Sequence, residues 1–441
     1  MFDTLISTAQ RTRSHRTIRN LVADCRRLLS ERGQANSRSI ATALITQLQD
    51  LDSFEQRLFF ARLAEELSPD PSVVLARAQE YAREPTAANL IALTQAAEPP
   101  RQELLRRING APGGTAAIVQ LRSALLEHIK TNPDLAAVDA DLLHLLSSWF
   151  NPGFLDLKRV DWNSPAQLLE ELIRHEAVHA IDGWNDLRRR LQPDRRCFAF
   201  FHPQLPGRPL IFVEVALLSK IPSAIQPLID QHSEPELGDT FKVAAFYSIS
   251  NCEPGLRGVS LGNFLIKRVA EELKRELPKL STFCTLSPIP GFMNWLAGAS
   301  AEADLQAAGE LTASRRAALV DAYALLKRWC DGDLRILGGT DALGRLDTFD
   351  DNARKALLKL CAAYLVLLAA GPGGDPVARF HLDNGARMER LNARADLSKN
   401  GLRQSAGLMV NYLYDLGRIE ANHQHFKDGL VVHSRAIGGL F

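Results

Sequence analysis

The chain has 441 residues, with 52 Lys and Arg against 51 Asp and Glu and a net charge of +1. A hydrophobic share of 46% and a charged share of 23% are those of an ordinary globular protein with room for two or three domains. Such balance leaves no footprint for broad nucleic-acid or membrane-surface binding, although a local basic cluster could hold a phosphorylated small molecule.

The first 20 residues carry basic side chains without a continuous apolar core behind them, so no secretory signal is expected. Residues 1 to about 150 read as helix throughout. Apolar residues recur three and four apart, as in Leu21, Cys25, Leu28, Leu29 and in Leu58, Phe59, Leu63, Leu67. Breaks are predicted at SPDP (68–71), EPP (98–100), NGAPGG (109–114) and NPD (132–134). A helical segment with few convergent polar groups suits packing or assembly better than chemistry. The six cysteines (25, 197, 252, 284, 330, 361) are scattered without a C-x-x-C pair, which fits a reducing cytoplasm and no thiolate metal site.

The pattern changes after residue 150. Residues 166–191 read as helical, followed by two β-rich runs, CFAFFHP and PLIFVEVALL, joined through QLPGRP as a hairpin. KVAAFYSIS (242–250) is a further strand, NFLIKRVAEELKREL a helix, and LSTFCTLSP (280–288) a short strand. Helices return from 299 to about 370, where the longest apolar run, near Leu357–Ala370, is too short and interrupted to span a bilayer. The expected fold is α+β, an all-helical domain (1–150) followed by a domain (151–441) with a mixed, mainly antiparallel sheet and added helices.

Three stretches invite chemistry. HEAVH (175–179) fits the H-E-x-x-H pattern of zinc peptidases, but no third ligand follows at a suitable spacing, so no metal is expected. His175 is expected in solvent and His179 half-buried against its helix. The basic run DLRRRLQPDRRC (186–197) reads either as a phosphate contact or as a solvated helix end, and HQHF (423–426) as incidental histidines of a flexible tail. Cys252 and Cys284 read as packing residues.

At FYSISNCEPGLRGVSLGNFLIKRV a strand runs through Arg257, Gly258, Val259, Ser260, Leu261, Gly262 and Asn263 into an amphipathic helix. Unpaired N–H groups and the dipole at a helix start favour a pyrophosphate. The spacing resembles the R/Q-x-x-G-x-G/A loop by which GCN5-related acetyltransferases cradle coenzyme A, with Ser260 in place of the middle glycine. On these residues alone an ordinary strand–loop–helix connection remains open.

Three further segments, RRCFAFFHPQLPGRPL, LSTFCTLSPIPGFMNW and PVARFHLDNGARMERLNARAD, together with that loop resemble the malonyl-CoA decarboxylase family in order from about Val160 to Tyr414. The resemblance implies an oligomerising helical domain (dimer or tetramer) joined to an acetyltransferase-like catalytic domain. It implies catalytic roles for Ser287 and His381, a malonyl-CoA loop at 257–263, and an active-site tyrosine at Tyr414. It implies malonyl-CoA and acetyl-CoA as ligands, a place in fatty-acid metabolism, and no nucleic-acid or membrane partner. Loss of carbon dioxide leaves an enolate whose electron sink is the thioester carbonyl, so no metal or organic prosthetic group is required. His381, with a pKa near neutrality, is the natural proton donor. Ser287 either holds the leaving carboxylate or relays a proton. An N-acyltransferase and a non-catalytic coenzyme A-binding protein are the competing readings.

Overall fold

The computed structural model describes residues 2–30, 36–236, 240–259, 261, 265–308, 311–371 and 373–440, with side chains from residue 10 onward. The chain divides into two units: residues 1–156 with 201–210 and 252–261, and residues 157–200 with 211–251 and 262–441.

The first unit is built from the helices that the break residues delimit. Asp52 caps the helix Ser53–Glu66 in a capping box with Glu55. Asp70 before Pro71 opens Pro71–Arg83, Thr86 caps Ala87–Ala97, and Pro99 precedes Pro100–Asn109. Gly113, at φ +76°, makes the turn into Gly114–His128. Leu21, Cys25, Phe59, Leu63, Leu104, Ile108, Ile118, Leu125 and Leu142 form its apolar interior. The helices Pro71–Arg83 and Ala87–Ala97 pack against each other, yet neither has a buried residue.

The second unit is organised by a seven-stranded sheet: β1 (Asp156–Val160), β2 (Arg195–Phe201), β3 (Pro209–Leu218), β4 (Val243–Asn251), β5 (Thr282–Thr285), β6 (Arg387–Asn392) and β7 (Met409–Leu413), in the order β1-β2-β3-β4-β5-β7-β6. β3 is buried along nearly its whole length, which accounts for its continuous apolar run. It pairs antiparallel with β4, and the register shifts at Glu214/Val215, leaving Tyr247 of β4 without an opposite residue. β4 and β5 are parallel over only four residue pairs, Val243–Phe246 with Thr282–Thr285, while β5–β7 and β6–β7 are antiparallel. The sheet is mixed and mainly antiparallel, and the protein is α+β.

The span 166–191 is not one helix. Ala166–His175 and Gly183–Arg190 are helical, and residues 176–182 between them are irregular. Glu176 explains the break: its carboxylate turns inward to accept bonds from the N–H groups of Val178 and His179 and from Ser248 Oγ and Ser250 Oγ of β4. HQHF lies in the helix Ile419–Lys427 rather than in a flexible tail.

Candidate active site

β5 ends at Thr285, and two residues later Ser287 is bridged to β7. Its N–H donates to Val410 O at 2.9 Å and its O accepts from Val410 N–H at 3.0 Å. The backbone of the serine is thus as fixed as a strand residue, although it stands where the chain leaves the sheet. The PIP stretch then steers into the short helix Phe292–Leu296 through Gly291. A Cβ at 291 would lie 2.2 Å from the Tyr364 hydroxyl, so only glycine fits this approach.

His381 stands in the last turn of the helix Pro376–Asp383. One carboxylate sets both helix and serine turn. Asp375 Oδ1 caps the helix by accepting from Val377 N–H and Ala378 N–H, while Oδ2 accepts from Gly291 N–H at 2.9 Å. Burial raises the Asp375 pKa. Beyond the histidine, Gly385 has φ +77° and comes so close to Ile419 O that a Cβ would meet it at 2.1 Å.

These supports bring three of the sequence-predicted residues together. Ser287 Oγ lies 2.9 Å from His381 Nε2, and His381 Nδ1 lies 2.9 Å from the Tyr414 hydroxyl. Two further residues complete the group. Ser287 Oγ–H donates to Thr285 Oγ1 at 2.9 Å, and the Tyr412 ring stacks on the imidazole at 4.7 Å and 28°. All five residues are buried. Burial pushes the His381 pKa down to about 3 and that of Tyr414 well above its ordinary value. The histidine is therefore neutral and not poised near pH 7 as the sequence suggested. The desolvation comes from aromatic and backbone surroundings, which a sequence pattern does not display. Thr285 and Tyr412 were missed, though a signal existed: side chains alternate across a strand, so 285 faces with 287 and 412 with 414.

The loop is built separately, in the first unit. Gly258 has φ +80°, a backbone shape that favours glycine. Arg122 Nη1 donates to Gly255 O and Arg257 O while its Nε pairs with Asp139. The Val259 and Leu261 side chains are buried. Ser260, Gly262 and Asn263 lie outside the described residues. The helix that follows runs over Leu265–Glu276.

HEAVH does not form a metal-binding turn. The helix ends at His175, whose Nε2 lies 2.9 Å from Glu171, and His179 is buried outside any helix with its pKa pushed down to about 4 by burial. The basic run is neither solvated nor free to bind phosphate along most of its length. Arg189, Arg190 and Arg195 are buried in pairs with Asp194, Asp186 and Glu214. All six cysteines are buried and free, and burial pushes Cys284 up to about 12. Among the described residues no helix is long and apolar enough to cross a membrane.

The central sheet and the helix Pro376–Asp383 of this α+β chain thus bring Ser287, His381 and Tyr414 into one buried hydrogen-bonded chain. The model of the malonyl-CoA decarboxylase C-terminal domain matches residues 153–441, and that of the N-terminal domain matches 67–150. The chain is 39% identical over 336 residues to the mitochondrial malonyl-CoA decarboxylase of Rattus norvegicus and 36% identical over 344 residues to that of Anser anser anser. Each alignment takes in 74% of this chain, and the chain spans about two thirds of the length of these relatives, 67% and 66%. The solved malonyl-CoA decarboxylase of Rhodopseudomonas palustris superposes with a TM-score of 0.82 at 47% identity, over 95% of this chain and 98% of that one. The chain belongs to the malonyl-CoA decarboxylase family, a family of carboxy-lyases.

Proposed function

We propose that this protein converts malonyl-CoA to acetyl-CoA and carbon dioxide. The observation that carries the reading is the buried, uncharged chain Ser287–His381–Tyr414. Decarboxylation of a malonyl thioester demands a proton for the carbon that loses carboxylate, and a site dry enough that the enolate meets only the intended donor. The thioester carbonyl takes the electrons, so this scheme needs no metal or organic prosthetic group. In our reading His381 delivers the proton and Ser287 hydrogen-bonds the reacting malonyl group. Residues 257–263 hold the pyrophosphate of coenzyme A with their backbone, as a glycine-rich approach to a helix start allows.

The division of labour follows the chain order. Residues 1–150 serve assembly and residues 151–441 serve binding and chemistry. The pair of helices Pro71–Arg83 and Ala87–Ala97 supports self-association, because Val73, Leu75, Leu90 and Ile91 are all exposed on it. We assign the enzyme to malonyl-CoA and fatty-acid metabolism on the strength of its family, and to the cytoplasm on its scattered cysteines alone. Purified protein incubated with malonyl-CoA alone should release carbon dioxide and acetyl-CoA in equal amounts, and should do so after exhaustive chelation. Acyl transfer to an added amine without net decarboxylation would replace this reading with the acyltransferase one.

A further inference from the structure

We infer that Asn411 is a positioning residue for the decarboxylation. Its side-chain amide takes the place of one backbone rung between β5 and β7, and that replacement holds Thr285 and Tyr412 against Ser287 and His381. The inference rests on the decarboxylase reading above and adds a residue outside the expected set.

Along an antiparallel pair, close backbone exchanges recur at every second residue. Two such contacts flank the site. Tyr414 N–H donates to Phe283 O at 2.8 Å, and Ser287 and Val410 exchange both of their bonds, at 2.9 and 3.0 Å. The register steps from Cys284↔Leu413 to Ser287↔Val410, so Thr285 and Tyr412 stand opposite each other in between. A regular ladder would join Tyr412 N–H to Thr285 O. In place of that bond, Tyr412 N–H donates to Thr285 Oγ1 at 3.2 Å, and Thr285 O accepts from Asn411 Nδ2 at 2.8 Å. Two side chains have been inserted into one rung.

The direction of each of these bonds is fixed by atoms that can only give or only take. A register shift between Met388 and Arg390 of β6 sets Arg390 opposite Asn411, and Arg390 Nε donates to Asn411 Oδ1 at 3.2 Å. An arginine nitrogen does not accept, so the amide has one orientation. Its Oδ1 also receives Asn392 Nδ2 at 2.8 Å, and its Nδ2 faces the carbonyls of Thr285 and Pro222, at 2.8 and 3.1 Å. Asn411 is fully buried, with both ends of its amide filled.

What the inserted rung holds is the site. Thr285 Oγ1, kept in place by Tyr412 N–H, lies 2.9 Å from Ser287 Oγ. Tyr412, held by the same bond, lays its ring on the His381 imidazole at 4.7 Å. Without the Asn411 amide, Thr285 O becomes a buried acceptor in need of a donor, and the nearest donor is Tyr412 N–H. Closing that ordinary rung releases Thr285 Oγ1 and shifts Tyr412 against the histidine. The sheet regains a bond while the site loses its geometry.

A double-mutant cycle on the full chain tests this. Asn411→Ala should fold, and its malonyl-CoA turnover should fall roughly tenfold at nearly unchanged KM, the scale of one lost hydrogen bond. Its crystal structure should show Tyr412 N–H on Thr285 O. Because Asn411 acts through Thr285, adding Asn411→Ala to Thr285→Val should leave turnover scarcely below that of Thr285→Val alone. Losses that multiply would overturn the inference, as would normal turnover in folded Asn411→Ala or a Tyr412 N–H still on Thr285 Oγ1 in its crystal structure. Should Asn411→Ala not fold, Asn411→Asp keeps the acceptor for Arg390, loses the donor to Thr285 O, and decides by the same three measurements. Absence of carbon dioxide release from wild-type protein would instead defeat the decarboxylase reading, since the rung is read without turnover.

Discussion

Two buried polar clusters in the second unit solve the same problem in opposite ways. Around Arg190, on the helix Gly183–Arg190, charge is kept and neutralised by charge. Its guanidinium donates to Asp186 twice, at 2.9 and 3.1 Å, to Glu214 of β3 at 2.9 Å, and to Ala180 O at 3.3 Å. Around His381, charge is excluded, and four side chains are joined by hydrogen bonds between neutral groups. A guanidinium locked by two carboxylates has no proton to give and no reason to move. A neutral imidazole between two hydroxyls can pass a proton along without creating a separated ion pair in a dry place. The contrast teaches that burial alone does not mark function here. What sets the proposed site apart is a buried titratable group left uncharged between two hydroxyls.

The comparison breaks most visibly at the ionic cluster. Arg190→Met leaves Asp186 and Glu214 without their cation. It should lower unfolding free energy by roughly 3–5 kcal/mol, the usual cost of removing one partner from a buried pair. Urea unfolding followed by circular dichroism reads this, and turnover per folded molecule should change little. Wild-type stability in the mutant would mean that the carboxylates are neutral and the cluster is not ionic. The second cluster should answer in reverse. His381→Asn should cut turnover by at least ~10²-fold through loss of the proton donor, while the protein unfolds near the wild-type midpoint. Near-normal turnover in that folded variant would remove His381 from the chemistry.

The two clusters also differed in how far they could be read from sequence. Ser287 and His381 were singled out through the family resemblance of SPIPGF and FHLDNGA, and the structure shows that these motifs also carry local scaffolding. Gly291 is demanded by the Tyr364 hydroxyl and Gly385 by Ile419 O, so the motifs spell out local geometry. Helix breaks at 68–71, 98–100 and 109–114 were equally plain, since Asp–Pro, Pro–Pro and Gly–Gly act within a few residues. The arginine cluster was not legible. Arg190 reaches Glu214 across 24 positions, and DLRRRLQPDRRC looks like a solvated run until β3 is laid against it. Glu176 misled for the same reason: its partners Ser248 and Ser250 lie more than 70 residues away. Local pattern showed the helix continuing, and long-range hydrogen bonds ended it. The neutrality of His381 is likewise a property of what surrounds it in space.

A smaller effect sharpens the neutral cluster. Tyr414→Phe deletes the hydroxyl that faces Nδ1 and leaves the ring in place. Turnover should fall by about tenfold, the scale of one buried hydrogen bond, with malonyl-CoA affinity nearly unchanged. A loss of affinity without loss of turnover would instead make Tyr414 a substrate contact that does not act through the histidine.

The finest test is acid stability. Burial holds His381 at about 3 and His179 at about 4, below the ~6.5 of an unfolded histidine. Between pH 6.5 and about 4 the unfolded chain binds a proton at each of these positions that the folded chain refuses. Their stabilising contribution is therefore complete above pH 6.5 and is lost as pH falls towards the folded values, at about 1.4 kcal/mol per pH unit for each histidine. His381→Asn removes one of the two. Urea unfolding at intervals between pH 6.5 and 5 should show the mutant losing stability less steeply than wild type, by that one-proton slope, so that curves close together at pH 6.5 separate towards pH 5 with the mutant the more stable. Parallel curves would mean that His381 takes up a proton in the folded protein, and with it would fall the distinction between a cluster that excludes charge and one that balances it.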